Sequence, residues 1–201
     1  MRSRVLLLVI AALVLGACGD RSGKTLETPI YDPPELPVVE SSLPPEPTAP
    51  PSAIMPLALT ASWVDGATVP GRQTCLGDGV SPALTWTNVP AGTIELAVTV
   101  VDDDAEGFVH WVVYAIQPDQ PGLIEGQLPE VAFEWVNSAG QRPFEPLCPP
   151  SGETHRYRFT LYALNQQVEV ADDAGASDVI AQLEATTIEQ ASVFGVVTTD
   201  P

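Results

Sequence analysis

The chain has 201 residues, of which 45% are hydrophobic, and its 26 acidic residues against 8 basic ones give a formal net charge of −18 at pH 7. A surface this negative repels nucleic acid and anionic lipid headgroups at long range. Because the sequence has no basic cluster to offset that repulsion, it predicts a protein with no nucleic-acid partner.

The first 17 residues have the pattern of a signal peptide. Two arginines precede the apolar run 5–15, which is shorter than the ~20 residues that a transmembrane helix needs. The segment Leu15-Gly16-Ala17-Cys18 resembles a bacterial lipobox, which predicts Cys18 as the acylated N-terminus of the mature protein. A plain secretory signal that ends near Ala17 is the alternative. The prediction is an extracytoplasmic lipoprotein that is held on the membrane of the cell envelope by its lipid anchor.

Residues 18–56 are predicted to form a tether that begins with the lipidated cysteine. Ten of the 21 prolines of the chain fall between Pro29 and Pro56. Proline lacks a backbone donor and favours extended, semi-rigid geometry, so this segment should hold the rest of the protein away from the membrane. Residues 57–201 have a different composition and the size of one folded domain.

Two cysteines, Cys75 and Cys148, remain once Cys18 is assigned to the anchor. An even pair in an oxidising compartment predicts a disulfide. A metal site is the alternative, although neither residue belongs to a C-x-x-C pair.

Strand patterns dominate the predicted domain, which is therefore mainly β with peripheral helices near its C-terminus. Residues 88–92 read as a turn, and the run 108–116 is apolar on both faces and predicted to be central. Ser177 is the predicted N-cap of a helix, a second short helix should run from Thr186 or Thr187 to Ala191, and residues 192–198 should form a closing strand. The other predicted strands are 57–62, 83–87, 94–101 and 156–164.

Four polar side chains fall on apolar strand faces. Alternation groups Asp102 with Leu96, Val98 and Val100, His110 with Phe108, Val112 and Tyr114, and His155 with Tyr157. Burial of such groups without a partner costs roughly 1–3 kcal/mol each, so they should satisfy either one another or a ligand. A closed polar cluster that binds nothing is the plain alternative.

Four motifs in order resemble the phosphatidylethanolamine-binding protein family, in particular its bacterial Raf-kinase-inhibitor-like branch. The segment 81–86 (SPALTW) resembles the family's S-P-x-L-x-W stretch, and residues 102–106 (DDDAE) resemble its D-P-D-A-P loop. His110-Trp111 resembles its H-W strand start, and His155-Arg156-Tyr157 its H-R-Y motif.

The resemblance implies an antiparallel β-sandwich with Greek-key topology and a small pocket at one end, which in the family accepts phosphate, phosphorylated headgroups or similar anions. It implies no cofactor. The family's pocket residues carry over to Asp102, Asp104, His110, Pro149, His155 and Tyr157.

The chain departs from the family pattern at the mouth of this expected pocket. Asp103 and Glu106 stand where the family usually has prolines, which makes the acidic loop more negative. The family's G-Y-G-G-P-C-P-P run is replaced by residues 143–150 (PFEPLCPP), where Glu145 and Pro146 take the places of glycines.

The leading functional interpretation is a non-enzymatic binding or regulatory protein with a small anion pocket for phosphate or a phosphorylated headgroup. The alternative is a protein-interaction module that regulates an envelope enzyme such as a protease or a kinase. An enzyme ranks third, because no G-x-S-x-G elbow is present and Ser81 and Ser151 are nucleophile candidates only by their place near the motifs. A metal site built from Asp102, Asp104, His110 and His155 has no spacing signature, and no metal is predicted.

Overall fold

The structure is a computed structural model and describes residues 55–201. The predicted signal peptide, the predicted lipidation site Cys18 and the tether up to residue 54 lie outside the described residues. Within the part of the chain that is described, no helix is long and apolar enough to cross a bilayer.

The described residues form eight strands, one short 3-10 helix (Gly71–Gln73) and one α-helix, so the predicted mainly-β class is confirmed. The elements are β1 Ala58–Ala61, β2 Leu84–Thr87, β3 Glu95–Asp102, β4 Phe108–Ile116, β5 Gly122–Leu123, β6 Phe133–Glu134, β7 Thr154–Leu164, α1 Ala176–Thr186 and β8 Thr187–Thr198. One sheet has the order β1-β2-β5 and the other β6-β4-β3-β7-β8, with antiparallel pairing throughout.

The main core contains residues of both sheets. Leu84 and Trp86 of the small sheet belong to one buried cluster with Leu96, Val98 and Phe159 of the large sheet. The strict alternation of β3 and β7 produces this arrangement, because every second residue points to the same face. Burial of this apolar surface is the main force that holds the two sheets together.

The other face of the large sheet packs against α1. Val179 and Leu183 of this helix form a second buried cluster with Val112, Tyr162 and Leu164. The spacing of four residues between Val179 and Leu183 places both on one side of the helix. Both faces of the central strands are therefore covered, which explains why β3 is buried along its whole length.

Two predictions for the C-terminal region are wrong. The helix begins at Ala176 rather than after Ser177, and the Gly175 N–H donates to the Asp178 carboxylate at 3.0 Å. The second short helix does not form, because residues 187–198 are one strand that pairs with β7 along its length. The β-branched residues of β8 favour a half-exposed edge strand over a helix.

The two ends of the β7–β8 ladder have different neighbours. At one end, the Leu57 N–H donates to Glu189 Oε1 at 2.8 Å, which places the start of the domain beside the Ala163–Glu189 pair. His155 pairs with Val197 at the other end. Eight residues of strand separate Ala163 from His155, a distance of about 26 Å at ~3.3 Å per residue. The predicted site thus lies far from the point where the N-terminal segment joins the domain.

Candidate functional site

The pairing of β3 with β7 brings together an aspartate and a histidine that are 53 residues apart in sequence. Asp102 at the end of β3 lies opposite Tyr157, so its side chain meets His155 near the start of β7. Asp102 is 3% exposed and His155 is 7% exposed. The His155 Nδ1–H donates to Asp102 Oδ2 at 2.7 Å. Asp102 Oδ1 accepts the Asp104 N–H at 2.9 Å, which fixes the orientation of the carboxylate.

A β-bulge turns His110 toward this pair. Val100 lies opposite Trp111 and Val101 lies opposite Val109, so His110 is an extra residue in β4. A bulge reverses the alternation of side chains beyond it, and bulges are common beside functional sites.

The predicted grouping of His110 is consequently wrong in part. Val112 and Tyr114 belong to the cluster beneath α1, whereas His110 faces away from it. Its ring contacts Phe108, as alternation predicted, with 4.9 Å between the ring centroids. It also lies 5.2 Å from the Tyr157 ring.

The segment 143–150 forms a wall beside His110. The Glu145 N–H donates to the His110 carbonyl at 2.9 Å, and His110 Nδ1 lies 3.0 Å from the Glu145 carbonyl oxygen. A carbonyl oxygen only accepts, so Nδ1 carries the hydrogen, and Nε2 of the neutral ring is left as an acceptor.

The two histidines open onto one cavity of about 240 Å³. Its polar lining consists of Asp102, His110, Glu145 and His155. Ala105, Phe108, Pro146, Cys148 and Pro150 supply the rest of the lining. A larger hollow of about 680 Å³ beside the end of α1 contains neither histidine and none of the predicted site residues.

His155 lies between two carboxylates. Its Nε2 is 3.1 Å from Glu153 Oε2, on the side of the ring opposite the contact with Asp102. Both carboxylates accept hydrogen bonds, so both ring nitrogens donate and the ring is an imidazolium. The hydrogen bond to Asp102 and, to a smaller extent, the one to Glu153 raise the pKa of His155 against the opposing effect of burial.

His110 has the opposite electrostatic setting. Burial lowers the pKa of its ring, and the nearby backbone carbonyl of Glu145 offsets this only in part. The pKa values of the two imidazoles of the cavity are therefore shifted in opposite directions, upward at His155 and downward at His110.

Tyr157 packs against the His110 ring and does not line the cavity. Its hydroxyl is buried and makes no hydrogen bond of good geometry among the described residues, although it lies close to the Asp102 carboxylate. Burial, the charge of Asp102 and the hydrogen-bonding approach of that carboxylate raise the pKa of this hydroxyl, which stays protonated. An unpaired buried donor is uncommon and marks a place where an added acceptor would be stabilising.

Three predicted residues do not line the cavity, namely Tyr157, Asp104 and Pro149. Asp104 Oδ2 accepts the Arg156 N–H at 2.7 Å, so this carboxylate fastens the acidic loop to β7. Pro149 is a buried residue of the wall segment whose carbonyl accepts from the Thr199 hydroxyl at 3.2 Å, and Pro150 lines the cavity in its place. The ligand-binding role of the predicted residues stays a prediction.

Sequence reasoning missed Glu153 as a member of the site, whereas the family resemblance alone placed Glu145 at the mouth of the pocket. Glu153 stands two residues before His155, and side chains spaced by two lie on the same face of an extended segment, so the signal was present. Glu145 gave no comparable signal, because its position depends on the irregular path of the wall segment.

At one position, the backbone of the acidic loop has a conformation that proline cannot adopt. Glu106 has φ of 50° and precedes Gly107 in the turn between β3 and β4. Proline holds φ near −65°, so the residue usual in the resembled family would not fit this conformation.

A disulfide joins the cavity wall to the loop around the short 3-10 helix. Cys75 and Cys148 are bonded, with 5.4 Å between their Cα atoms, as the sequence analysis favoured. The Cys75 N–H also donates to the Leu147 carbonyl at 3.3 Å. Among residues 55–201, no group of three or more His, Cys, Asp or Glu side chains has an arrangement that could hold a metal ion.

Comparison with known proteins assigns the family. The family model described as phosphatidylethanolamine-binding protein matches residues 60–198, which include both histidines and the whole cavity. The chain belongs to the phosphatidylethanolamine-binding protein family.

Relatives within the family include a protein that bears a lipoprotein name. The Mycobacterium tuberculosis protein named as lipoprotein LppC is 39% identical over 184 residues, which cover 88% of this chain and 86% of that protein. A UPF0098 protein of Methanothermobacter thermautotrophicus is 36% identical over 143 residues, which cover 68% of this chain and 94% of its own length.

Solved structures of phosphatidylethanolamine-binding protein family members share the fold. Escherichia coli YbcL superposes with a TM-score of 0.68 at 29% identity, over 73% of this chain and all of that one. The Chlamydia trachomatis homologue CT736 superposes with a TM-score of 0.65 at 27% identity, over 72% of this chain and 99% of that one.

The first prediction concerns the two histidines. His155→Ala leaves the buried Asp102 carboxylate without its partner and should lower the free energy of unfolding by about 3 kcal/mol at pH 6. Because the pKa of His155 is raised in the folded state, its protonation stabilises the fold fully below pH ~6.5. This stabilisation is lost as pH rises through the folded pKa, so the destabilisation caused by His155→Ala should be smaller at pH 9.

His110→Ala is the control, with the opposite dependence on pH. The pKa of His110 is lowered in the fold, so wild type loses stability as pH falls below ~6.5, and the variant should not. Urea unfolding of the three proteins at pH 5, 6 and 9 measures the difference. Parallel pH profiles for the two variants would contradict this assignment of charge.

The second prediction concerns the disulfide. Replacement of both Cys75 and Cys148 by serine should lower the free energy of unfolding by about 4 kcal/mol, because the unfolded chain regains a long open loop. Urea unfolding with and without reductant measures this loss, and the double variant should not respond to reductant. Two free thiols in unreduced wild type, found by intact mass, would show that the bond does not form.

Proposed function

We propose that this family member is a non-enzymatic binding protein whose cavity takes a small phosphorylated ligand. The observation that carries the proposal is the convergence of His110 and His155 on one cavity, with the buried Tyr157 hydroxyl behind its lining. A volume of about 240 Å³ suits a phosphate with a short substituent rather than a drug-sized molecule or a whole lipid.

Binding of such a ligand should be coupled to a proton. His110 Nε2 accepts a hydrogen bond when the ring is neutral and donates one only when the ring is protonated. A phosphate monoester has a second pKa near 6, so its monoanion has a hydroxyl that can donate to His110 Nε2. In the second route the ring takes up a proton and donates to the phosphate. Either route favours binding at lower pH.

The lining of the cavity supports binding rather than catalysis. Cys148 is bonded to Cys75, so its sulfur is not a free nucleophile. Ser81 lines a separate hollow beside Phe144, and the Ser151 hydroxyl donates to the Asp200 carbonyl at 3.0 Å. Neither serine faces the histidines, so a serine- or cysteine-based hydrolytic mechanism has no attacking group among the residues that line this cavity.

We further propose that lipidated Cys18 anchors the protein to a membrane of the bacterial envelope. The lipobox-like segment and the lipoprotein name of a relative support this localisation. The domain begins at the end of β7–β8 opposite the cavity, so this placement does not itself favour a membrane headgroup over a soluble phosphomonoester.

The third prediction tests the ligand and its source. Inorganic phosphate and phosphoethanolamine should shift the backbone NMR signals of residues 107–111 and 154–157 and bind several-fold more tightly at pH 5.5 than at pH 7.5. A separate titration with vesicles that contain phosphatidylethanolamine distinguishes binding of a membrane headgroup from binding of a free solute. A folded sample with no response in any titration at millimolar concentration would contradict the proposal.

The fourth prediction tests Tyr157. Tyr157→Phe removes only the unpaired hydroxyl, so it should weaken phosphate binding roughly tenfold without loss of stability. Tyr162→Phe is the matched control on the same strand, because Tyr162 packs in the other core cluster, with its hydroxyl 3.4 Å from that of Thr99. Equal phosphate affinities for the two variants in the NMR titration would contradict the role of Tyr157.

A further inference from the structure

The Glu153 carboxylate occupies the only ring nitrogen of His155 that a ligand could use. Asp102 holds Nδ1 at 2.7 Å from the β3 side, and Glu153 Oε2 lies 3.1 Å from Nε2. An imidazolium has one hydrogen on each nitrogen, so a ligand oxygen that uses Nε2–H must replace this carboxylate.

The contact is made by a side chain that is free to move. The Glu153 backbone is fixed at both ends, because its N–H donates to Pro150 and its carbonyl accepts from Thr199. Its side chain is 58% exposed, whereas that of His155 is 9% exposed. Displacement of the carboxylate into solvent therefore disturbs neither the strand nor the ring.

The displaced carboxylate would be replaced by an equivalent group. Glu153 presents a negatively charged oxygen to a single N–H donor, as an anionic phosphate oxygen would. The Asp102 contact stays in place during the exchange, so the ring keeps its orientation and its charge.

We propose that Glu153 is an internal competitor of the ligand, which holds the His155 donor in the free protein and is displaced when an anionic oxygen binds. This inference rests on the proposed function and assigns Glu153 as the residue that sets affinity for anions at that site. It also explains how a strongly acidic chain keeps a cationic donor satisfied when the cavity is unliganded.

The fifth prediction compares Glu153→Gln with Glu106→Gln, using inorganic phosphate at pH 6.0 as the probe. Glu106 is exposed in the loop next to the lining residue Ala105, so its replacement removes the same charge near the cavity without touching either ring. Glu153→Gln should raise phosphate affinity 3- to 10-fold, and Glu106→Gln less than 2-fold. In the absence of phosphate, Glu153→Gln should also lower the NMR-measured pKa of His155.

Each outcome decides a different point. Equal phosphate affinities in wild type and both variants would leave the proposed anion site intact but refute the role of Glu153 as a competitor. An unchanged His155 pKa in Glu153→Gln would overturn it as well, because the contact would then be absent in solution. If the pKa falls but neither wild type nor Glu153→Gln binds phosphate at 20 mM, the contact is real and both the anion site and the competition are refuted.

Discussion

The register between β3 and β7 is the constraint on which the site depends. It places Asp102 opposite Tyr157 and thereby sets the 2.7 Å contact between Asp102 and His155. A shift of one residue would turn Asp102 toward the helix side of the sheet and move each apolar residue of the strand from one core cluster to the other. The same burial that stabilises the core therefore also maintains the geometry of the charged pair.

Sequence predicted those parts of the site that follow regular strands. The alternation of β3 and β7 placed Asp102, His155 and Tyr157 on apolar strand faces, and the family resemblance implied one common pocket. The structure brings the three together because each of these strands keeps one face in the main core. In β4 the same reasoning failed beyond His110, since a bulge adds a residue without a mark in the hydrophobic pattern. Thr187–Ala191 was misread because its short, mixed pattern suits a helix end or an edge strand, and pairing with β7 decided between them.

The charge of each imidazole was beyond prediction from the sequence. Both histidines are buried at strand ends, yet one donates to two carboxylates and the other to a backbone carbonyl. The difference arises from Glu153, which lies on the same face as His155, and from a wall segment that turns its carbonyl toward His110. Positions fixed by such loops follow from tertiary packing rather than from periodicity.

Because the protein is strongly acidic, affinity for an anion would depend on the local contacts of His155 with Asp102 and Glu153. Under the proposed function, an anionic ligand would approach a protein of net charge −18, so long-range electrostatics would slow its arrival instead of steering it. Attraction must therefore arise at short range, where the screened surface charges matter less than direct hydrogen bonds. Under the proposed function, His155 would supply the cationic donor there, with Asp102 held in place by burial and Glu153 exposed enough to be displaced. The unequal burial of these two carboxylates would thus allow one imidazolium to be both stable in the free protein and available to a ligand.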